Sequence, residues 1–126
     1  MTAYRAIVLE HFRRPRNRAP LPEANRSADG ANPLCGDRVR IQLRVEAGTI
    51  ADARFTADAC ALCVAAASLL TERVRGMRVA DADAIDAAWM SRSLGGDPPP
   101  GRARCATLPL DTLRHALHTL EPASPS

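Results

Sequence analysis

The chain has 126 residues, 46% of them apolar and 25% charged, with a formal net charge of +3; that is the make-up of one globular domain rather than a disordered or fibrous chain. All 17 basic residues are arginine, which excludes Schiff-base lysine catalysis and the phosphate-gripping lysine of a P-loop. No apolar run approaches the ~20 residues that cross a bilayer, and the opening MTAYRAIVLEHF lacks the order of a signal peptide, so no membrane partner and a cytoplasmic location are expected.

Residues 3–12 repeat Tyr4, Ile7, Val8 and His11 at helical spacing, and Pro15 ends that helix. Residues 13–34 carry four of the ten prolines and no periodicity, so they are expected to be mostly loop. The run Arg13-Arg14-Pro15-Arg16-Asn17-Arg18 has no interleaved aromatic and matches no nucleic-acid-binding motif. It reads as a solvated turn or as a docking surface for an acidic protein. From Arg38 the polar and apolar residues alternate, with Val39, Ile41, Leu43 and Val45 on one side. That pattern predicts a strand over 38–46, a turn at Ala47-Gly48 and a partner strand over 49–56.

An Ala-rich segment with Leu62, Val64, Leu69, Leu70 and Val74 predicts a helix over 61–75, stopped by Gly76. A shorter helix is expected over 81–92, capped by Asp81 or Asp83, with Ile85, Ala88 and Trp89 facing inward. Residues 93–104, SLGGDPPPGRAR, read as irregular. Leu110, Leu113, Leu117 and Leu120 then mark a last helix with Pro109 in its first turn. The expected fold class is α+β: a small antiparallel sheet with helices packed on one face and the cysteine-bearing loops at one end. Residues 1–120 form one domain in this reading, and 121–126 a disordered tail.

Four cysteines, Cys35, Cys60, Cys63 and Cys105, suggest metal or redox chemistry in a cytosolic chain, although scattered cysteines also serve as small core residues. Cys35 ends a loop before a strand, Cys60 opens one helix, and Cys105 lies just ahead of another. Helix N-termini favour anions, so Cys60 and Cys105 are expected to lean toward the thiolate. Asp37 is two residues from Cys35, on the same side of the strand. Three thiolates and one carboxylate make four ligands, enough for a tetrahedral ion or a small iron–sulfur cluster. Cys60-Ala61-Leu62-Cys63 does not fit a thioredoxin context, since it follows a hairpin and lacks flanking Trp, Gly or Pro. Cys63 reads as a buried small hydrophobe, with a spare relay thiol or a fourth cluster ligand as the alternatives.

Five stretches in order, Tyr4…Glu10-His11-Phe12…Pro15-Arg16-Asn17, Asn32-Pro33-Leu34-Cys35-Gly36-Asp37, Asp52-Ala53-Arg54-Phe55, Leu70–Gly76 and Arg104–Pro109, resemble the iron–sulfur cluster assembly scaffold family of the IscU, SufU and NifU N-terminal type. The resemblance implies Cys35, Asp37, Cys60 and Cys105 as ligands, and a [2Fe–2S] cluster built there and passed to apo-proteins. It implies a cysteine desulfurase as sulfur source and a scaffold rather than an enzyme. The alternative is a zinc-bound sulfurtransferase partner of the SufU kind, with the same residues on zinc and Cys105 leaving the metal to accept persulfide sulfur. A purely structural zinc site is the third reading. Ala59 replaces the family's glycine before the second cysteine, and Arg104 stands where IscU proteins have a histidine. Pro98-Pro99-Pro100-Gly101-Arg102 lacks the lysine of the IscU chaperone-recognition stretch, which puts chaperone handover in doubt.

Overall fold

The alternation in residues 38–46 becomes the central strand of a three-stranded antiparallel sheet. In the computed structural model, which describes residues 2–119, the strands are β1 (Arg26–Asn32), β2 (Asp37–Glu46) and β3 (Thr49–Asp58), in that spatial order. Leu120 and the expected tail, 121–126, lie outside the described residues. Val39, Ile41 and Leu43 are buried while Arg38 and Arg40 are exposed, so one face meets the core and the other meets solvent. Ile41 pairs with Phe55 and Leu43 with Ala53, which stacks the large apolar side chains on the covered face. Ala47 (φ 53°) and Gly48 (φ 79°) both take the left-handed conformation that a two-residue hairpin turn requires.

β1 corrects the expectation of loop over 13–34. Its sequence, RSADGAN, holds no large apolar residue, so neither periodicity nor β-propensity reveals it. The small residues serve close packing instead: a Cβ on Gly30 would sit 2.0 Å from Thr112 Oγ1. The free edge of β3 is covered in its turn, because Phe55 N–H donates to Asn17 O (2.9 Å) and Ile50 N–H to Met77 O (2.8 Å).

Among the described residues there are five helices, α1 (Thr2–Arg13), α2 (Ala61–Val74), α3 (Val79–Asp83), α4 (Ala87–Leu94) and α5 (Ala103–His118), with a 3₁₀ turn over Pro100–Arg102. Helix α5 packs on β1 and β2, α2 on β3 and α5, and α1 lies against α2. Sandwiched in this way, α2 is buried nearly all round, and its alanines at 65–67 let its neighbours approach. The largest fully buried side chains, Phe55, Ile41, Leu43, Leu70, Met90 and Leu113 among them, come from the sheet, α2, α4 and α5.

The expected helix over 81–92 is two helices broken around Ile85. The cap is Asp86, which accepts from Trp89 N–H (2.9 Å), rather than Asp81 or Asp83. Ile85 is buried as expected, but Ala88 is exposed and Trp89 only half-buried; Met90 and Leu94 take the inward positions. Helix α4 runs on to Leu94, and α5 begins at Ala103, so 93–104 is less irregular than its Gly and Pro content suggests. Pro109 therefore sits inside α5 rather than in its first turn. Lacking an N–H, it leaves the Cys105 carbonyl without its helical partner.

Candidate metal centre

Three segments converge beside the N-terminal ends of α2 and α5. The first is the β1–β2 connection. Asn32 O accepts from Cys35 N–H (3.2 Å) and Gly36 N–H (2.8 Å), while Asn32 Oδ1 accepts from Leu34 N–H (3.2 Å). Gly36 takes φ 79°, which completes the turn. This knot holds Cys35 exposed at its tip and buries Asp37 at the first position of β2. Leu34, 89% exposed, projects beside them. Asn32 and Leu34 stand in the Asn32–Asp37 stretch of the resemblance, but sequence reasoning assigned neither a role. The signal was present in Asn32-Pro33-Leu34-Cys35, where a leucine between a proline and a candidate ligand cysteine has no core to enter.

Asp37 ties the first segment to the second. Its Oδ1 accepts the backbone N–H of Cys60 at 3.0 Å, and its Oδ2 lies 3.5 Å from Cys60 Sγ. Cys60 is the N-cap of α2, so an orphan donor of the helix start is satisfied by Asp37 rather than by the capping residue's own side chain. The third segment is the first turn of α5, which carries Cys105, buried. One ligand atom each from Cys35, Asp37 and Cys105 all lie within 4.8 Å of one another; Cys60 stands outside that group and is tied to it through Asp37, 3.5 Å from its Sγ. The four expected residues thus gather at one end of the sheet, at the mouth of a cleft of about 490 Å³ whose far wall is Pro100 to Arg104. A concavity of about 540 Å³ on the exposed face of the sheet, over Gly30 and Arg38, holds no thiol or imidazole.

The electrostatics separate the members. Burial raises the Asp37 carboxyl, but the Cys60 N–H and the thiols of Cys35, Cys105 and Cys60 outweigh it, so the group ends below the usual carboxylate range. Cys105 goes the other way. Burial first, then the neighbouring Cys60 thiol and Asp37 carboxylate, push it up to about 12. This corrects the expectation that a helix N-terminus biases Cys105 toward the thiolate: desolvation and the nearby carboxylate outweigh the helix dipole. Cys63, one turn into α2 and fully buried, is raised still further, by burial first and then by the charges of the site. It is a packed core thiol in this state.

The family model for the NifU-like N-terminal domain matches residues 3–123. The chain belongs to that family. This NifU-like domain is 29% identical over 124 residues to a zinc-dependent sulfurtransferase SufU of Bacillus subtilis, spanning 85% of this chain and 84% of that one. It is 33% identical over 120 residues to an IscU iron–sulfur cluster assembly scaffold protein of Azotobacter vinelandii, spanning 91% of each. Its fold superimposes on a candidate SUF-system assembly scaffold of Fervidobacterium islandicum with a TM-score of 0.77, at 22% identity, over 92% of this chain and 97% of that one.

Proposed function

We propose that this NifU-like domain assembles a [2Fe–2S] cluster on Cys35, Asp37, Cys60 and Cys105 and transfers it to apo-proteins. One observation carries the reading: at the mouth of an open cleft, Cys35, Asp37 and Cys105 bring ligand atoms within 4.8 Å of one another, and the thiol of Cys60 lies 3.5 Å from that carboxylate. Soft thiolates hold iron firmly, while a carboxylate is a harder and more exchangeable ligand. Asp37 is the weak corner through which a cluster leaves. A cation supplies the charge that lets Cys105 release the proton burial keeps on it. Sulfur arrives when the Cys105 thiolate attacks the outer sulfur of a cysteine desulfurase persulfide. An S–S bond forms at Cys105, the donor's S–S bond breaks, and the desulfurase cysteine departs as thiolate. Reducing that sulfur to sulfide takes two electrons from a dithiol or a reduced electron carrier.

The test is anaerobic reconstitution with a cysteine desulfurase, cysteine, ferrous iron and a thiol reductant, followed by Mössbauer spectroscopy and transfer to an apo-ferredoxin. A [2Fe–2S] spectrum with transfer is expected, and Asp37→Ala should hold its cluster longer than the native chain. Faster transfer from Asp37→Ala would contradict the role given to Asp37.

A second reading, a zinc-bound partner accepting persulfide sulfur from the desulfurase, draws support from the compactness of the site. Four ligands at ~2.3 Å from one tetrahedral zinc stand ~3.8 Å apart, whereas two irons divide their ligands over a wider span; here the ligand atoms of Cys35, Asp37 and Cys105 lie within 4.8 Å of one another and Cys60 Sγ lies 3.5 Å from Asp37 Oδ2. Zinc would be held by the same four residues. Persulfide on Cys105 of zinc-loaded protein, detected by mass spectrometry with no cluster formed under the anaerobic conditions above, would favour this reading over the first.

A further inference from the structure

Cys63 is the one cysteine that neither function uses. It sits in the first turn of α2 with no solvent exposure, three residues after the N-cap Cys60. At a helix start the side chains of the N-cap and of the third helical residue face each other, which is why they can cap one another reciprocally. Here Cys60 makes no such cap, and its thiol lies 3.5 Å from Asp37 Oδ2 instead. A thiol pair in the Cys-X-X-Cys spacing at a helix N-terminus is also the arrangement that cycles between dithiol and disulfide. We propose that Cys60 and Cys63 are a disulfide-forming pair, and that closing this bond removes Cys60 from the cluster site. The second clause rests on Cys60 being a ligand; the first does not.

The oxidant is a small disulfide such as oxidised glutathione. The Cys60 thiolate attacks one of its sulfurs and expels a glutathione thiol, leaving a mixed disulfide on Cys60. The Cys63 sulfur then attacks the Cys60 sulfur, its proton leaves with the second glutathione, and the intramolecular bond closes. Two protein thiols are oxidised and one small disulfide is reduced to two thiols. Cys60 is half-exposed at the cleft and Cys63 buried behind it, so attack starts from Cys60 and Cys63 resolves it. A small dithiol reverses the reaction and frees the site. With cargo bound, Cys60 is engaged and the pair stays open.

The arginine spacing makes the test direct. Trypsin leaves Cys35 in peptide 27–38, both Cys60 and Cys63 in peptide 55–73, and Cys105 in peptide 105–114. The metal-free chain is treated with oxidised glutathione, alkylated without reduction and digested. Peptide 55–73 should come out unalkylated and lighter by two hydrogens, with Cys35 and Cys105 alkylated, and with zinc capacity lost until a dithiol restores it. A cross-link between peptides 27–38 and 105–114, a link between two chains, or four free thiols would overturn the pair. Zinc-loaded protein should resist; oxidation of 55–73 at an unchanged rate with zinc bound would overturn the competition with cargo while leaving the pair standing. Cys63→Ser and Cys63→Ala should each keep near-native zinc capacity before oxidant; after it, peptide 55–73 should carry one glutathione on Cys60 in place of the internal bond, because nothing remains to resolve the mixed disulfide. A free, alkylated Cys60 in both oxidant-treated variants would overturn attack from Cys60.

Discussion

At its N-terminal end α2 meets three thiols and a carboxylate, while further along it meets polar groups that are all paired. Ser68 Oγ lies 2.7 Å from His11 Nδ1 and accepts from Arg16 N–H (2.8 Å). Arg75, just past the helix, binds Asp52 (3.3 Å) and donates to Asn17 Oδ1 (2.9 Å), with Arg54 on the other oxygen of Asp52 (3.2 Å). Among the described residues no buried side-chain nitrogen or oxygen lacks a partner. The thiol end is different in kind: burial, then the Cys60 thiol and the Asp37 carboxylate, push Cys105 toward its protonated form. One half of the helix is committed to holding α1 and the turns, and the other is kept in a state that a cation would improve.

The largest expected effect strikes the thiol end alone. Cys105→Ala or Cys60→Ala should weaken zinc binding by more than the ~10–100-fold that second-shell changes cost, with little change in the denaturation midpoint of the metal-free protein. Anaerobic zinc titration against a chromophoric chelator reads this, and near-native affinity in either variant would remove that residue from the site. Because all of these thiols must lose protons, affinity should also rise steeply with pH.

Gly30→Val should couple the two ends. Its Cβ would collide with Thr112 Oγ1, forcing apart β1 and α5, the helix that carries Cys105. A loss of ~1–3 kcal/mol is expected from overpacking, together with weaker zinc binding. Urea denaturation gives the first and the zinc titration the second; a destabilised variant with native zinc affinity would show that α5 holds Cys105 independently of β1.

His11 tests the paired half. Burial first, then the nearby Arg16, keep it below the ordinary histidine value, with Glu72 and Glu10 opposing more weakly. A depressed histidine contributes stability that is present above ~6.5, its unfolded value. That contribution is lost as pH falls toward the folded value, because the unfolded chain then binds the proton more readily. Urea midpoints of metal-free protein at pH 7 and pH 5 should differ in the native chain and differ less in His11→Gln, with an overall cost of ~1–3 kcal/mol for the broken buried hydrogen bond. An unchanged pH difference would free His11 of that role.

The smallest effect belongs to the arginine-rich turn. Glu10 already pairs with Arg16 at 3.1 Å and Arg14 at 3.9 Å, so its net charge is smaller than its sequence suggests. If it docks a cysteine desulfurase, changing Arg13, Arg14 and Arg16 together to serine should weaken the complex and flatten its salt dependence, since exposed charges are screened over ~8–10 Å. Binding measured at two salt concentrations decides it; no change returns the run to a solvated turn.

The sequence by itself determined β2, β3, α1 and α2, because each buries a regular apolar pattern whose period can be read along the chain. It also offered Cys35, Asp37, Cys60 and Cys105 as candidate ligands, through the stretches that resemble the scaffold family. Tertiary structure decided the rest. β1 exists because β2 offers it an edge and α5 needs small residues beneath it, and neither cause is visible in RSADGAN. Helix α5 starts a turn early, and the 81–92 segment breaks at Ile85, because local packing outweighed the apparent punctuation of Gly, Pro and Asp. The protonation of Cys105 was misjudged for the same reason. A helix terminus can be read from sequence, but the burial and the carboxylate that outweigh it come from residues 37 and 60, brought there only by the fold.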